Sequence, residues 1–221
     1  MGRTASGLST VGNNILTHDS SCGPFPVSHA VLTSSLFKKI NAATSSIKTL
    51  SSEYEVQVVD TVGLFAPDRK KNFDIIQDVK TYLKENVPEG FNLAIFVFKI
   101  GRLTYEDQSI LELYASHFGK ELSSISALVF TGCDFMMDEQ RITAIKEFTK
   151  KYPMIAKFMK KGIHPVGFLD LSTLKPALRE VYEQSQKADQ ENLRHLIYSC
   201  DEMKQIIKDT TLWEKLKASV I

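Results

Sequence analysis

Three short and almost uninterrupted apolar runs limit the fold of this 221-residue chain more than any other feature. They cover residues 56–59 inside EVQVVD, residues 93–98 and residues 127–130. Strands that are covered on both faces have this composition, whereas a strand with one solvated face alternates apolar and polar residues. The runs therefore predict buried strands. Residues 165–171 form a weaker fourth candidate, because they contain a proline and a glycine.

Helical patterns separate these predicted strands. They occur at residues 72–85, 105–118 and 138–152. The first of them has an apolar stripe formed by Phe73, Ile76, Val79 and Leu83. Because strands and helices alternate, we predict an α/β fold with a mostly parallel sheet flanked by helices.

The character of the chain changes near residue 172, where it becomes charged and helical. We therefore predict a domain of residues 1–171 and a helical extension of residues 172–221. The extension has apolar residues at spacings of three and four, which predict an amphipathic helix: Leu193, Leu196, Ile197, Cys200, Met203, Ile206 and Ile207. We favour a helix docked on the domain over a free coiled-coil or partner-binding helix.

The overall composition argues against several classes of protein. Lys and Arg number 27 against 26 Asp and Glu, so there is no net positive field that would attract nucleic acid. Cys22, Cys133 and Cys200 are scattered without C-x-x-C spacing, which argues against a disulfide framework and a zinc site. No apolar run has the length of a membrane span, and membrane association is not indicated. We expect a cytoplasmic protein.

The chain opens on GRTASGLSTVGNNIL, and this segment matches the phosphate-binding pattern G-x-x-x-x-G-K-[ST] at every specified position except one. In such a loop, backbone N–H groups and the start of the following helix face the phosphates, and Ser9 would bind Mg²⁺. Leu8 stands where the pattern requires lysine, so we expect weak binding. The predicted nucleotide contacts here are Gly2, Arg3, Thr4, Ala5, Ser6, Gly7, Leu8, Ser9 and Thr10.

Three further segments carry a family resemblance. They are STVGNNIL at residues 9–16, DTVGLF at residues 60–65, and residues 99–122, which contain Gly101-Arg102 and Phe118-Gly119. With the opening loop, they make the chain similar to AIG/GIMAP-type P-loop GTPases over roughly residues 2–171. The resemblance implies a P-loop GTPase-like fold that binds GTP or GDP with Mg²⁺.

The resemblance also implies roles for individual residues. Asp60 would hold Mg²⁺ through water, the Gly63 amide would meet the γ-phosphate, and Thr44 stands where the switch threonine of the family would fall. Arg102 corresponds to an arginine that reaches across a nucleotide-dependent dimer in some members, which implies a homodimer or oligomer formed through the nucleotide face. The alternative, equally favoured, is a surface arginine beside a helix cap at Thr104.

Base recognition is the part of the family pattern that is least complete. Asp134 in TGCDFMMD is the candidate carboxylate for guanine, but Gly132 and Cys133 replace the basic residues of the family. A one-residue change of register would put Phe135 in place of the acid. The family motif F-N-N that closes over the base is present here as FLD, which begins at Phe168 and lacks the asparagine amide.

A P-loop normally follows a buried strand in the middle of the sheet, yet only Met1 precedes Gly2 in this sequence. We therefore expect the first strand to be missing and favour a truncated sequence. The alternatives are a sheet that closes differently and a strand borrowed from another chain.

Two functions fit these features. The first is a GTP/GDP-binding switch with weak binding and slow or no hydrolysis, since no glutamine follows DTVGLF to position water. The second is a pseudo-GTPase that acts as a nucleotide-independent interaction or oligomerisation module. Leu8, the changed base loop and the missing strand favour the second hypothesis.

Overall fold

The computed structural model describes residues 1–2, 5–17, 23–27, 40–48, 53–64, 69–101, 104–119 and 121–200. A short 3₁₀ helix at Leu171–Thr173 precedes the last helix. In chain order the other elements are α1 (Leu8–Leu16), β1 (Asn41–Lys48), β2 (Glu53–Asp60), α2 (Arg69–Asn86), β3 (Ala94–Lys99), α3 (Tyr105–Phe118), α4 (Glu121–Ser124), β4 (Ser126–Thr131), α5 (Asp138–Lys151), α6 (Pro153–Phe158), β5 (Ile163–Pro165) and α7 (Pro176–Tyr198).

A parallel sheet in the order β3-β4-β5 lies at the centre of the molecule. β3 pairs with β4 from Ala94 opposite Ser126 to Lys99 opposite Thr131. Every residue of β4 except Thr131 is buried, because helices cover both faces of the sheet. The predicted α/β fold with a mostly parallel sheet and a C-terminal helix is confirmed.

Apolar clusters cover both faces of this sheet, and the two larger ones lie on opposite faces. Phe96 and Leu128 point to the larger cluster, which is completed by apolar side chains of α2 and α3 such as Ile76 and Tyr114. Val97 and Val129 point to the opposite face and pack against α1 and α7. Because successive side chains of a strand point to opposite faces, one short apolar run packs against two layers of helices.

β1 and β2 form a separate antiparallel pair, with Asn41 opposite Asp60 and Lys48 opposite Glu53. Strand β1 is not among the predicted strands, because NAATSSIK has few large apolar residues. Its alternating exposure shows that one face of the hairpin is solvated. The hydrogen-bond ladder with β2 therefore makes this segment a strand, although its local sequence does not predict one.

The predicted strand at residues 165–171 is wrong in its position. β5 runs from Ile163 to Pro165, and the chain leaves the sheet at Val166, whose N–H donates to Phe130 O. Gly167 follows, and its backbone packs against Asp134: a Cβ at Gly167 would lie 2.7 Å from Asp134 Cα. A close approach of two backbones, rather than a strand, explains this glycine.

Helix α7 is packed on the domain. Leu193 is fully buried in the cluster beside α1, and Leu196 is 8% exposed. Gln190 Nε2 donates to Asn14 Oδ1 at 2.8 Å, and Arg194 Nη2 donates to Thr17 O at 3.0 Å. The docked interpretation is confirmed for this helix, while Met203, Ile206 and Ile207 lie outside the described residues. The boundary at residue 171 stays a prediction.

No helix in the described ranges is long and apolar enough to cross a membrane.

Candidate functional site

Residues 5–7 of the opening segment form a turn at the end of the parallel sheet. Ala5 and Gly7 both have positive φ angles, 64° and 91°. Thr131, the last residue of β4, donates its hydroxyl hydrogen bond to Ser6 O at 2.7 Å. A Cβ at Gly7 would lie 3.2 Å from Thr131 Cγ2, so a glycine fits both the backbone angle and the narrow space. The loop is therefore held directly on the strand end.

Helix α1 begins at Leu8 without a side-chain cap. Gly7 is its N-cap residue and has no side chain that could accept a hydrogen bond from the first turn. The first turn of the helix contains no acidic residue. Free N–H groups and the positive end of the helix dipole make such a terminus suitable for an anion.

Ser9 and Asp60 meet at the same edge of the sheet. Ser9 Oγ donates to Asp60 Oδ2 at 2.7 Å. Burial raises the pKa of Asp60, while the hydrogen bond from Ser9 and the nearby Met1 amino group oppose that rise. A hydroxyl and a carboxylate together are hard oxygen ligands of the kind that Mg²⁺ prefers. Two of the three predicted metal residues, Ser9 and Asp60, are thus in contact, and their metal role stays a prediction.

The segment after β2 is tied to the opening loop. Leu64 N donates to Gly2 O at 2.9 Å, and Gly63, the residue before Leu64, is buried. Gly63 therefore lies between Asp60 and the opening loop. The resemblance predicts a residue that meets the γ-phosphate at this place.

Leu8 is partly buried. Its side chain packs against the apolar cluster that includes Val11, and Val56 and Val58 of β2 also pack there. It supplies no charge and no donor, so it does not fit a phosphate group. This position is where the site departs most from a nucleotide-binding loop.

Asp134 follows β4, and its buried carboxylate oxygen Oδ1 has no hydrogen-bond partner among the described residues. Burial raises the pKa of this carboxyl group, while a hydrogen bond from its own backbone N–H and the Arg141 cation oppose the rise. A buried acceptor without a partner is costly unless a ligand completes it, and a guanine edge offers two N–H donors. The guanine role of Asp134 therefore stays a prediction.

The loop that carries Asp134 is held by two residues that the sequence analysis did not identify. Arg141 donates to Asp189 Oδ1 at 2.7 Å and to Cys133 O at 3.1 Å. Asp189 Oδ2 accepts from Gly167 N at 2.7 Å. These residues are 48 positions apart on α5 and α7, and no local pattern pairs them. They are positioning residues for the candidate base loop.

Other predicted residues lie apart from this arrangement or outside it. Thr44 is exposed in the middle of β1, opposite Gln57, whereas Asn41 is opposite Asp60. Three residues along a strand correspond to about 10 Å, so the structure does not bring Thr44 to Asp60. Phe168 packs against the apolar cluster beside α1 and α7. Arg3, Thr4 and Arg102 lie outside the described residues.

Three features define the class of this protein. They are a phosphate-type loop between a strand end and a helix, a Ser–Asp pair, and a carboxylate after the next parallel strand. Together they indicate a P-loop-like α/β nucleotide-binding fold. The AIG1 family model matches residues 1–162. The chain therefore belongs to the AIG1 family, and the resemblance predicted from the sequence is confirmed.

Two curated relatives agree with this assignment. GTPase IMAP family member 8 of Rattus norvegicus is 24% identical over 133 residues, which are 59% of this chain and 18% of the relative. Immune-associated nucleotide-binding protein 9 of Arabidopsis thaliana is 26% identical over 159 residues, 69% of this chain and 41% of the relative. The chain thus spans less than half the length of each.

Solved structures of chloroplast translocon components share the fold. One belongs to the components atToc33 and psToc159, for whose GTPase activity dimerization is important; it has a TM-score of 0.58 at 12% identity and covers 94% of this chain and 84% of its own. Another, Toc33 from Arabidopsis thaliana in complex with Mg²⁺ and GMPPNP, has a TM-score of 0.50 at 14% identity and covers 88% and 83%.

Proposed function

We propose that the chain binds GTP or GDP with Mg²⁺ weakly, and that it hydrolyses GTP slowly or not at all. The observation that carries the proposal is the Ser9–Asp60 hydrogen bond of 2.7 Å beside the uncapped start of α1. The family supports a guanine nucleotide as the ligand. Mg²⁺ would be held by Ser9 and Asp60 and would neutralise the negative charge of the phosphates.

Each end of the nucleotide has a candidate contact on this chain. Ser9 and Asp60 would hold the metal end, and among the described residues no cluster of three His, Cys, Asp or Glu offers a separate metal site. Asp134 would accept the guanine N–H groups with its carboxylate, whose Oδ1 has no partner among the described residues.

Weak binding follows from Leu8. A charge-assisted hydrogen bond contributes about 1.5–3 kcal/mol, and this position contributes none to a phosphate. A loss of that size weakens binding by roughly tenfold to a hundredfold.

Calorimetric titration with GDP and GTP in the presence of Mg²⁺ tests the proposal. We expect measurable heat at high micromolar protein. Ser9→Ala removes a metal ligand and should weaken the Mg²⁺-dependent part of the affinity. Ser116→Ala is the matched control, because Ser116 is exposed on α3 and hydrogen-bonds within its own helix. Absence of heat with both nucleotides would reject the proposal.

Base preference is tested separately by Asp134→Ala. We expect this variant to lose discrimination between GDP and ADP, because adenine lacks the N–H pair that the carboxylate accepts. Asp74→Ala on the exposed face of α2 is the control and should leave the preference unchanged. Equal binding of GDP and ADP by the unaltered chain would contradict a role for Asp134 in base recognition.

The second candidate function is a pseudo-GTPase that acts as a nucleotide-independent interaction module. The packing of Leu8 with the apolar cluster favours it. Leu8→Lys distinguishes the two, because a lysine can leave its stem in the cluster and extend its amine to the phosphates. Binding that appears in the variant and is absent from the unaltered chain would support the pseudo-GTPase. Oligomers that depend on added GTP would contradict it.

A dimer formed through the nucleotide face is part of the first proposal. It is supported by the dimerization stated for the Toc33 structure, and Arg102 is its predicted arginine. Sedimentation with and without GTP and Mg²⁺ tests this, and we expect Arg102→Ala to lower the hydrolysis rate without lowering GDP affinity.

A further inference from the structure

Lys99 is the last residue of β3 and is exposed at the end of the parallel sheet. It stands opposite Thr131 in the ladder that joins β3 to β4. Thr131 is also the residue that donates to Ser6 O in the opening loop, and Asp134 follows it by three positions. Lys99 therefore lies at the sheet end that carries both the opening loop and the candidate base loop.

The stem of Lys99 occupies the space beside Gly132. A Cβ at Gly132 would lie 3.4 Å from Lys99 Cε and 3.5 Å from Lys99 Cγ. Gly132 also has a φ angle of 81°, which a residue with a side chain rarely adopts. Gly132 and Cys133 replace the basic residues of the family. A lysine of the neighbouring strand thus lies where a side chain of the loop would otherwise begin.

The charge of Lys99 acts on the candidate base carboxylate. Asp134 follows Gly132 by two positions, and its buried Oδ1 has no hydrogen-bond partner among the described residues. Burial is the main cause of the raised pKa of Asp134, and Lys99 is one of the cations that oppose the rise. Lys99 therefore favours the ionised carboxylate, which is the form that only accepts hydrogen bonds.

We propose that Lys99 contacts the purine ring of a nucleotide whose edge is bound by Asp134, an inference that rests on the proposed guanine-nucleotide function. Hydrogen bonds to a carboxylate hold only the edge of a base and leave its faces uncovered. The methylene groups of a lysine can cover one face while the ammonium stays in water. An ammonium within about 6 Å of an aromatic ring is also attracted to its face.

The competing role for Lys99 is a contact with the phosphates, because Leu8 leaves the opening loop without a lysine. A base contact contributes equally to the affinity of GMP, GDP and GTP. A phosphate contact contributes more as phosphate groups and charge are added. The position of the Lys99 stem beside Gly132, two residues before Asp134, favours the base.

Titration of the full chain with GMP, GDP and GTP in the presence of Mg²⁺ tests the proposal. Lys99→Ala should weaken the binding of all three by the same factor, about threefold to thirtyfold. Lys99→Met keeps a long apolar side chain and should lose less affinity than Lys99→Ala. Salt at about 0.15 M limits the effect of charges that are not in contact.

Lys157→Ala is the matched control, because Lys157 is exposed on α6, and it should leave the three affinities unchanged. Thermal unfolding of each variant checks that a loss of binding is not a loss of folded chain. A loss that grows from GMP to GTP would overturn the base contact in favour of the phosphates. If Lys99→Ala binds as well as the unaltered chain, only the role of Lys99 is wrong. If the unaltered chain binds no nucleotide, the proposed function fails and the role of Lys99 with it.

Discussion

Two residues of the opening loop depart from what their positions favour. Ala5 adopts a left-handed backbone angle of 64°, which costs a non-glycine residue about 1–2 kcal/mol. Leu8 packs with apolar neighbours where the phosphate-binding pattern has lysine. The first departure affects the stability of the folded chain, and the second affects the affinity for phosphate.

Ala5→Gly should stabilise the chain by about 0.5–1 kcal/mol. Relief of the backbone strain exceeds the greater freedom that glycine has in the unfolded chain. Ala188→Gly is the matched control: Ala188 is exposed within α7, and there glycine should destabilise by about 1 kcal/mol. Urea unfolding of both variants measures the difference. Destabilisation by both substitutions would show that Ala5 is not strained.

Cys133 should resist alkylation in the folded chain. Burial raises the pKa of this thiol to about 11, so at pH 8 almost none of it is the reactive thiolate. Relative to an unfolded thiol of pKa about 8.5, we expect modification at least roughly a hundredfold slower. Peptide-resolved mass spectrometry after iodoacetamide treatment measures the rate, with the urea-unfolded chain as the control.

The raised pKa of Cys133 also makes the stability of the folded chain depend on pH. Since the unfolded thiol loses its proton first, the contribution of Cys133 to folding is complete below about pH 8.5 and falls as pH rises toward 11. Rapid modification of Cys133 at pH 8 without unfolding would contradict this burial.

At the scale of elements, the contacts that α5 and α7 make with the loops determine the shape of the candidate base loop. Asp189 of α7 is bonded to Arg141 of α5 and to Gly167 N, and both side chains are nearly buried. Arg141 in turn holds the carbonyl groups of Cys133 and Met136. Helix α7 thus fixes the shape of the loop that carries Asp134.

Asp189→Asn should destabilise the chain by about 3 kcal/mol. The substitution keeps the size of the side chain but leaves the Arg141 charge buried without its counter-ion. Glu183→Gln is the control, since the Glu183–Lys187 pair is exposed and its loss should cost less than about 0.5 kcal/mol. Chemical denaturation measures both. Equal effects would show that the buried pair does not stabilise the junction.

At the scale of the whole molecule, α7 completes one of the two layers that cover the sheet. Leu193 is fully buried against α1 and the sheet, and burial of one such leucine contributes about 1.5–3 kcal/mol. A domain of residues 1–171 would expose that layer.

A chain ended after residue 171 should therefore lose several kcal/mol of stability or fail to fold cooperatively. A chain ended after residue 200, which keeps α7, is the control and should retain its thermal transition. Circular dichroism during heating measures both. If the two shortened chains melt at the same temperature, the predicted domain of residues 1–171 is independent of α7.

The elements predicted best are those whose pattern is local. Helix α3 has the predicted bounds, and the apolar runs in β3 and β4 predicted both central strands. Strand β1 was missed because NAATSSIK becomes a strand by pairing with β2, and a partner cannot be read from one segment. In the site, Ser9, Asp60 and Asp134 were predicted from motifs, whereas Arg141 and Asp189 act together across 48 residues.

By itself, the sequence determined the α/β class, the family and the chemical groups of the candidate site, because apolar periodicity and short motifs are written in consecutive residues. The tertiary structure decided where Leu8 packs and how α7 supports the base loop. These features depend on which distant segments meet, and that choice is made by the packing of the whole chain.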